Sequence, residues 1–395
     1  MVLIMEDRVK SDVYLDYQSS KPVDPRVVEA MIPYLYEKFG NPSSLHFEGD
    51  RAMEVLESSR EKIARFINAD PKEIIFTSGA TESTNLALIG YAMRKKGKGD
   101  QIILSEVEHI SIYNIAKYLE KEGFEIARLP VDQYGRLNLK KIEARINERT
   151  ILASIGYASN EIGTIQPIGE ISDFLKSKGV AFHTDAIAAE GLVPIDVQQV
   201  PVDLMTLSSN DIYGPKGLGV LYVRKGTGIM PIILGGGQER GLRSGTENIP
   251  AIVGMAKAAE IMADEMEEET NRLAAYRDRL IKGVLESIPK SYLNGHPAER
   301  LSNNAHFRFE AIEGESLILS LKDKGISAAT GSACSSKTLE PSHTLIACGL
   351  LHEEAHGSLE FTFGRFNKDS DVDRVLEVLP EVVERLRSFS PLYNK

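Results

Sequence analysis

Through the first two thirds of the chain, short apolar runs alternate with amphipathic stretches. The runs 73–77, 101–104, 124–129, 151–155, 180–184, 203–207 and 219–223 are rich in Ile, Leu, Val and Phe and too short for helices, so they predict buried strands. Residues 47–67, 111–121, 138–147 and 168–178 carry apolar positions at helical spacing. That alternation predicts a mostly parallel sheet covered by helices on both faces. A brief strand over Val13–Tyr17 and a helix opened by Pro22 and Pro25 and running to about Phe39 precede it. The pattern changes at Glu247-Asn-Ile-Pro250. Residues 251–288 have long helical periodicity, and their acidic segment Asp264–Glu269 reads as a solvated face. Strands at 304–309 and 358–363 with helices at 314–323, 341–350 and 370–388 then predict an α+β unit. The expectation is an α/β chain with a large domain over 21–250. A smaller α+β domain would combine 1–20 with 251–395 through a long connecting helix.

Composition narrows the function classes. A chain of 395 residues with 42% hydrophobic content can bury more than one core. It has no uncharged apolar run of about 18 residues, and Met1–Asp12 is too charged for a secretory signal, so a cytoplasmic protein with no membrane partner is expected. A net charge of -11 argues against a nucleic-acid surface, which needs clustered Lys and Arg. Two cysteines, Cys334 and Cys348, are too few for a disulfide framework and fit a reducing compartment.

Several segments carry chemistry. Thr206–Gly219 runs from a strand end through a Gly-Pro turn, where α/β folds place reactive groups. Ser78-Gly-Ala-Thr81 lies between strand and helix; it can hold a phosphate on backbone N–H groups or serve as a plain helix cap. Asp185 closes the strand before it and needs a cationic partner, either a protonated pyridine nitrogen or an arginine. Gly235–Thr246 can wrap an anion but matches neither the Walker A nor the dinucleotide pattern. Gly331-Ser-Ala-Cys334 sets a thiol in a small polar loop suited to reaction, whereas Cys348 sits in an apolar helix as a core residue would. His352-Glu-Glu-Ala-His356 has the spacing of a zinc hydrolase motif, with Glu353 as base, but Gly357 stops the helix and no third ligand is placed.

Gly40-Asn-Pro-Ser-Ser44, Ser78–Ser83, Asn160-Glu-Ile-Gly-Thr164, Gly214-Pro-Lys-Gly217, Arg243-Ser-Gly-Thr246 and Gly331–Cys334 occur in the order found in NifS/IscS-type cysteine desulfurases. The chain resembles that pyridoxal-phosphate (PLP) family, of the class V aminotransferase superfamily, from Tyr14 to Tyr393. The resemblance implies the type I PLP transferase fold and a homodimer. It implies that Ala80, Thr81 and Ser208 hold the cofactor phosphate, with Thr246 contributed by a second subunit. His109 would stack on the pyridine ring, Asn160 contact its ring oxygen and Asp185 pair with its nitrogen. Cys334 would take sulfur from cysteine as a persulfide and pass it to an iron–sulfur scaffold protein.

Against the family pattern, Asn210-Asp211 stands where the family has His-Lys, whose lysine bonds the cofactor. Ala188 replaces a glutamine expected to bond the ring oxygen, Glu360 replaces the arginine that clamps the substrate carboxylate, and Ser19-Ser-Lys21-Pro replaces Ala-Thr-Thr-Pro. A carboxylate cannot form the covalent bond or shuttle protons as an amine does. At the clamp, an attraction of about 4 kcal/mol at roughly 4 Å would turn into repulsion of similar size. The resulting expectation is a desulfurase-like protein with weak or absent desulfuration. PLP would be bound non-covalently or lost. Cys334 would act as sulfur relay or as a ligand of a cluster shared with the scaffold partner. The alternatives are an active PLP-dependent desulfurase, for which Lys21 is the substituted position that adds an amine, and zinc hydrolysis through His352, Glu353 and His356.

Overall fold

The computed structural model describes residues 12–330 and 341–393. Its strands in chain order are β1 (Val13–Tyr14), β2 (Ile74–Thr77), β3 (Gln101–Ser105), β4 (Glu125–Leu129), β5 (Thr150–Ser154) and β6 (Ala181–Asp185). They continue as β7 (Leu204–Ser208), β8 (Gly219–Val223), β9 (Ser291–Leu293), β10 (Asn304–Phe309), β11 (Ile326–Ser327) and β12 (Ser358–Thr362). β2 to β8 form one mixed sheet in the order β2-β8-β7-β6-β5-β3-β4, in which only β8 runs antiparallel to its neighbours. Most of its side chains are buried, as expected for a sheet covered on both faces. One face packs under helices Phe47–Phe66 and Ile168–Ser177, the other under Ala80–Lys95 and Ile110–Lys121. The carboxyl ends of β2, β3, β5, β6 and β7 therefore emerge along one edge, and the site is assembled there.

A second core forms around β10 and β12 with helices Gly314–Lys322 and Asp369–Phe389. β9-β10-β12 is antiparallel, while β1 pairs in parallel with β11 and the residues just after it, Leu15 and Tyr17, bond Thr362 of β12. The helix Ile249–Ser287 spans 39 residues and serves both cores: Ile252, Met255 and Met262 pack on the large sheet, Leu273, Leu280 and Val284 on the second core.

Two expectations are corrected. The helix after Pro25 does not run to Phe39; it divides into Pro25–Met31 and Pro33–Tyr36, because Pro33 has no N–H to continue the hydrogen-bond ladder. The acidic segment of the long helix is not simply a solvated face. Glu269 is buried and bonds Arg365 at 2.8 Å and the Tyr213 hydroxyl at 3.0 Å, and Glu265 bonds Arg26 and Arg365. These partners lie far away in sequence, so helical periodicity alone does not reveal them.

Candidate functional site

At the carboxyl edge lies a cavity of about 320 Å³ lined by Ala80, Thr81, His109, Asn160, Asp185 and Ala188, with Asn210, Asp211 and Glu360 completing its wall. Positions separated by up to 280 residues of chain thus converge as the family resemblance implies.

The phosphate end is built by β2. Gly79 has φ +149°, which favours glycine, and a Cβ on Gly219 would meet its backbone at 2.5 Å, so the turn and β8 pack backbone to backbone. No side chain caps helix Ala80–Lys95 at Gly79, and the Ser78 backbone N–H donates to Glu82. The first N–H groups of that helix are therefore left for an anion, which favours the phosphate reading over the plain cap. Ser208, expected in the same cradle, hydrogen-bonds the Asp211 carboxyl instead. Thr246 lies in a separate recess with Ser78 and Arg243.

His109 is the N-cap of helix Ile110–Lys121, its Nδ1 accepting from the Ser111 N–H at 3.2 Å. Burial, helped by nearby His343, holds its pKa below the usual value and keeps the ring neutral. Asp185 accepts from the Ile187 N–H at 3.1 Å and lines the cavity. Burial, with Asp211 nearby, pushes it up to about 7, and among the described residues no arginine pairs with it. Of the two partners open to Asp185, the pyridine nitrogen is the one this surrounding leaves room for. The residues thus fit PLP at its phosphate, ring face and nitrogen, but among the described residues no amine lines the cavity.

Asp211 lies in the short turn Ser209–Ile212 after β7, buried, with its carboxyl raised by burial and lowered in part by Lys21. The Lys21 ammonium donates to the Asp211 carbonyl at 2.5 Å and sits 5.3 Å from the Tyr213 ring centroid. Lys21 is buried and does not line the cavity. Beneath it, Glu190 accepts from the Ser208 N–H at 2.8 Å and is pushed well above the carboxylate range by burial.

Glu360, in mid β12, accepts from Asn304 Nδ2 at 2.9 Å, and burial raises it well above the carboxylate range. The expected full repulsion of a substrate carboxylate is therefore corrected: a protonated Glu360 withdraws the clamp's attraction without adding a whole negative charge. Glu108 and Glu161, which sequence reasoning passed over, also line the cavity. They adjoin His109 and Asn160, so the motifs that pointed to those residues carried the signal. Burial raises Glu108 to about 8 and Glu161 to about 7. His343 is a further lining residue missed in the sequence, its Nε2 2.9 Å from the Glu108 carbonyl oxygen.

Cys334 lies outside the described residues; Ala329 and Thr330 before that segment, and Ser342, His343 and Thr344 after it, all line the cavity. The zinc-type motif forms the five-residue helix His352–His356, with His356 in a different groove, and among the described residues no group of His, Cys, Asp and Glu can hold a metal ion. Cys348 is partly buried, and burial raises its thiol to about 12, as an inert core cysteine would show.

These pKa directions set a pH dependence. Carboxyls raised in the fold hold protons that the unfolded chain has already released, so their contribution declines as pH rises through the folded values. His183 and His306, both held down to about 3 by burial, act in the opposite sense: stability is lost as pH falls below about 6.5. Above about pH 5 the three carboxyls outweigh the two histidines, so the urea unfolding midpoint is expected to fall steadily from about pH 6 toward about pH 9. A midpoint that rises between those pH values would mean that the cavity carboxyls are ionised in the fold.

The chain matches the family described as Aminotransferase class-V over residues 13–375. It is 61% identical over 382 residues to "Cysteine desulfurase IscS 1" of Archaeoglobus fulgidus, covering 97% of this chain and 100% of that protein. It is 51% identical over 383 residues to "Cysteine desulfurase IscS" of Methanosarcina thermophila, covering 97% and 95%. Among solved structures it superposes on a NifS-like protein with a TM-score of 0.90 at 36% identity, covering 95% of this chain and 100% of that one. Among the described residues no helix is long and apolar enough to cross a membrane.

Proposed function

Since the chain belongs to the class V aminotransferase family, with cysteine desulfurases among its homologues, we propose that it serves iron–sulfur cluster assembly with little desulfuration of its own. The observation that carries this reading is the pairing of Asp211 and Glu360 in one buried cavity wall, where the family pattern has an amine and a guanidinium. Ala80 and Thr81 would hold the PLP phosphate, His109 the ring face and Asp185 the ring nitrogen. PLP bound there would supply an electron sink for bond cleavage at an amino acid. Asp211 offers it no covalent bond, and the Lys21 ammonium is engaged with the Asp211 carbonyl.

Cys334 is then the remaining reactive group, as sulfur relay or cluster ligand toward a scaffold protein. The residues flanking its segment line the cavity, which supports a role for Cys334 in the chemistry of this site. Exposed Leu35, Phe39, Leu45, Phe47 and Leu234 support a homodimer, the arrangement in which Thr246 would reach the partner's site. A second reading, an active cysteine desulfurase, is favoured by the 61% and 51% identity to proteins named as such.

Anaerobic cluster assembly on an iron–sulfur scaffold, with sulfide supplied, tests the proposal. Cys334→Ser is expected to slow or abolish assembly, while the unmodified chain with added PLP releases no sulfide from cysteine above the background of free PLP. Equal assembly by the serine variant removes the cluster-ligand role of Cys334, since supplied sulfide bypasses any relay. Brisk sulfide release by the unmodified chain favours the second reading.

A further inference from the structure

Among the described residues, the cavity wall carries buried acceptors without donors. Glu108 is 3% and Glu161 5% exposed, and Glu108 Oε2 and Glu161 Oε1, both on cavity-lining residues, have no hydrogen-bond partner among the described residues. Glu360 joins them at 4% exposure, with one oxygen held by Asn304. Buried acceptors left unpaired are unfavourable unless a donor reaches them.

The surrounding cations do not meet that need. The Arg300 guanidinium, the cation nearest in effect to Glu360, is spent on the backbone carbonyls of Asn304, His296, Ile162 and Asn294. His306, the register partner of Glu360, has Nε2 3.9 Å from Glu161, beyond hydrogen-bond range, and burial keeps it neutral. Ser342 and Thr344 bond Glu161 and leave Oε1 free. Asp16 near Glu360 and Asp185 near Glu108 add acidity, while Lys21 acts on Asp211 and Glu190.

We propose that the cavity, through Glu108, Glu161 and Glu360 in its wall, binds a small organic cation, a primary ammonium compound without a carboxylate. Such a group brings several N–H donors and a positive charge to unpaired acceptors. A free amino acid brings the same ammonium with a carboxylate that meets no cation among the described residues lining the cavity. The inference rests on the reading that the substrate clamp is lost, and it names what the altered site accepts. Since burial raises all three carboxyls, binding draws a proton from the site and releases it to solvent. Affinity therefore rises with pH up to the point where the ligand ammonium itself titrates.

The test is calorimetric titration of the full chain, with and without PLP, using propylamine and L-2-aminobutyrate. The latter is propylamine bearing a carboxylate and has the shape of cysteine without its sulfur, so sulfur chemistry does not intrude. Propylamine is expected to bind about tenfold or more tightly at pH 8, more weakly at pH 6, with proton release read from the buffer dependence of the heat. Glu360→Gln, nearly isosteric, should lose about tenfold in propylamine affinity and reduce the proton release, and Glu360→Arg should reverse the preference. Unchanged thermal unfolding of Glu360→Gln separates loss of the site from loss of the fold. No propylamine binding, equal binding of both compounds, or a preference that survives Glu360→Gln overturns the proposal. Sulfide release from cysteine by the unmodified chain is read independently, so failure of the clamp-loss reading remains distinguishable.

Discussion

Replacing Asn210→His and Asp211→Lys together with Ala188→Gln and Glu360→Arg is expected to raise PLP-dependent cysteine turnover by about 10²–10⁴-fold over the unmodified chain. The factor is the usual worth of a positioned acid–base group, and Asp211 already lines the cavity at the turn after β7, so a lysine there enters a prepared position. Removing the Asp211 carboxylate also removes the countercharge near Lys21, whose ammonium lies 2.5 Å from the carbonyl of the same residue. Two amines would then repel each other at close range. Adding Lys21→Thr should therefore increase turnover further than the four changes alone. Alanine formation and borohydride trapping of PLP on Asp211→Lys check both statements. Comparable turnover by the unmodified chain would contradict them, as would a folded five-fold variant with no gain.

Glu239→Ala is expected to cost about 3–5 kcal/mol of stability. The Arg60 guanidinium and the Glu239 carboxylate make two bonds of 2.7 Å, both side chains are buried, and Arg60 also lies 4.9 Å from the Phe76 ring centroid. Glu239 further accepts the Phe76 N–H at 2.9 Å, so its loss strands both a buried cation and an amide of β2. Glu57, half-exposed and 3.1 Å from Arg60, offers a substitute partner and favours the lower end of the range. Urea unfolding at constant slope measures the effect. A loss below about 1 kcal/mol would mean that Glu57 takes over the pair. Because β2 leads directly into Ser78–Thr81, the same variant should also loosen the phosphate cradle.

The strands of the large sheet were legible because each is a short apolar run between amphipathic helices, a pattern set by neighbours in sequence. β9 and β11 were not, since strands of two or three residues exist only through the partners they pair with. The motifs brought His109, Asn160, Asp185 and Asp211 to attention, and the fold brings them to one wall. Glu108 and Glu161 lay beside those residues and went unread because adjacency in sequence does not say which side chain faces a cavity.

Sequence alone determined the order of the large sheet's strands along the chain, the family resemblance and the substitutions at Ala188, Asn210, Asp211 and Glu360, because these depend on residue identity and spacing. Tertiary structure decided their charge and their company. Burial by distant segments raises Glu360 and Asp185, the β10–β12 register brings Asn304 and His306 toward Glu360, and the turn after β7 gives Lys21 a carbonyl to bond. Desolvation is a property of everything packed around a group, and no local stretch of chain contains it.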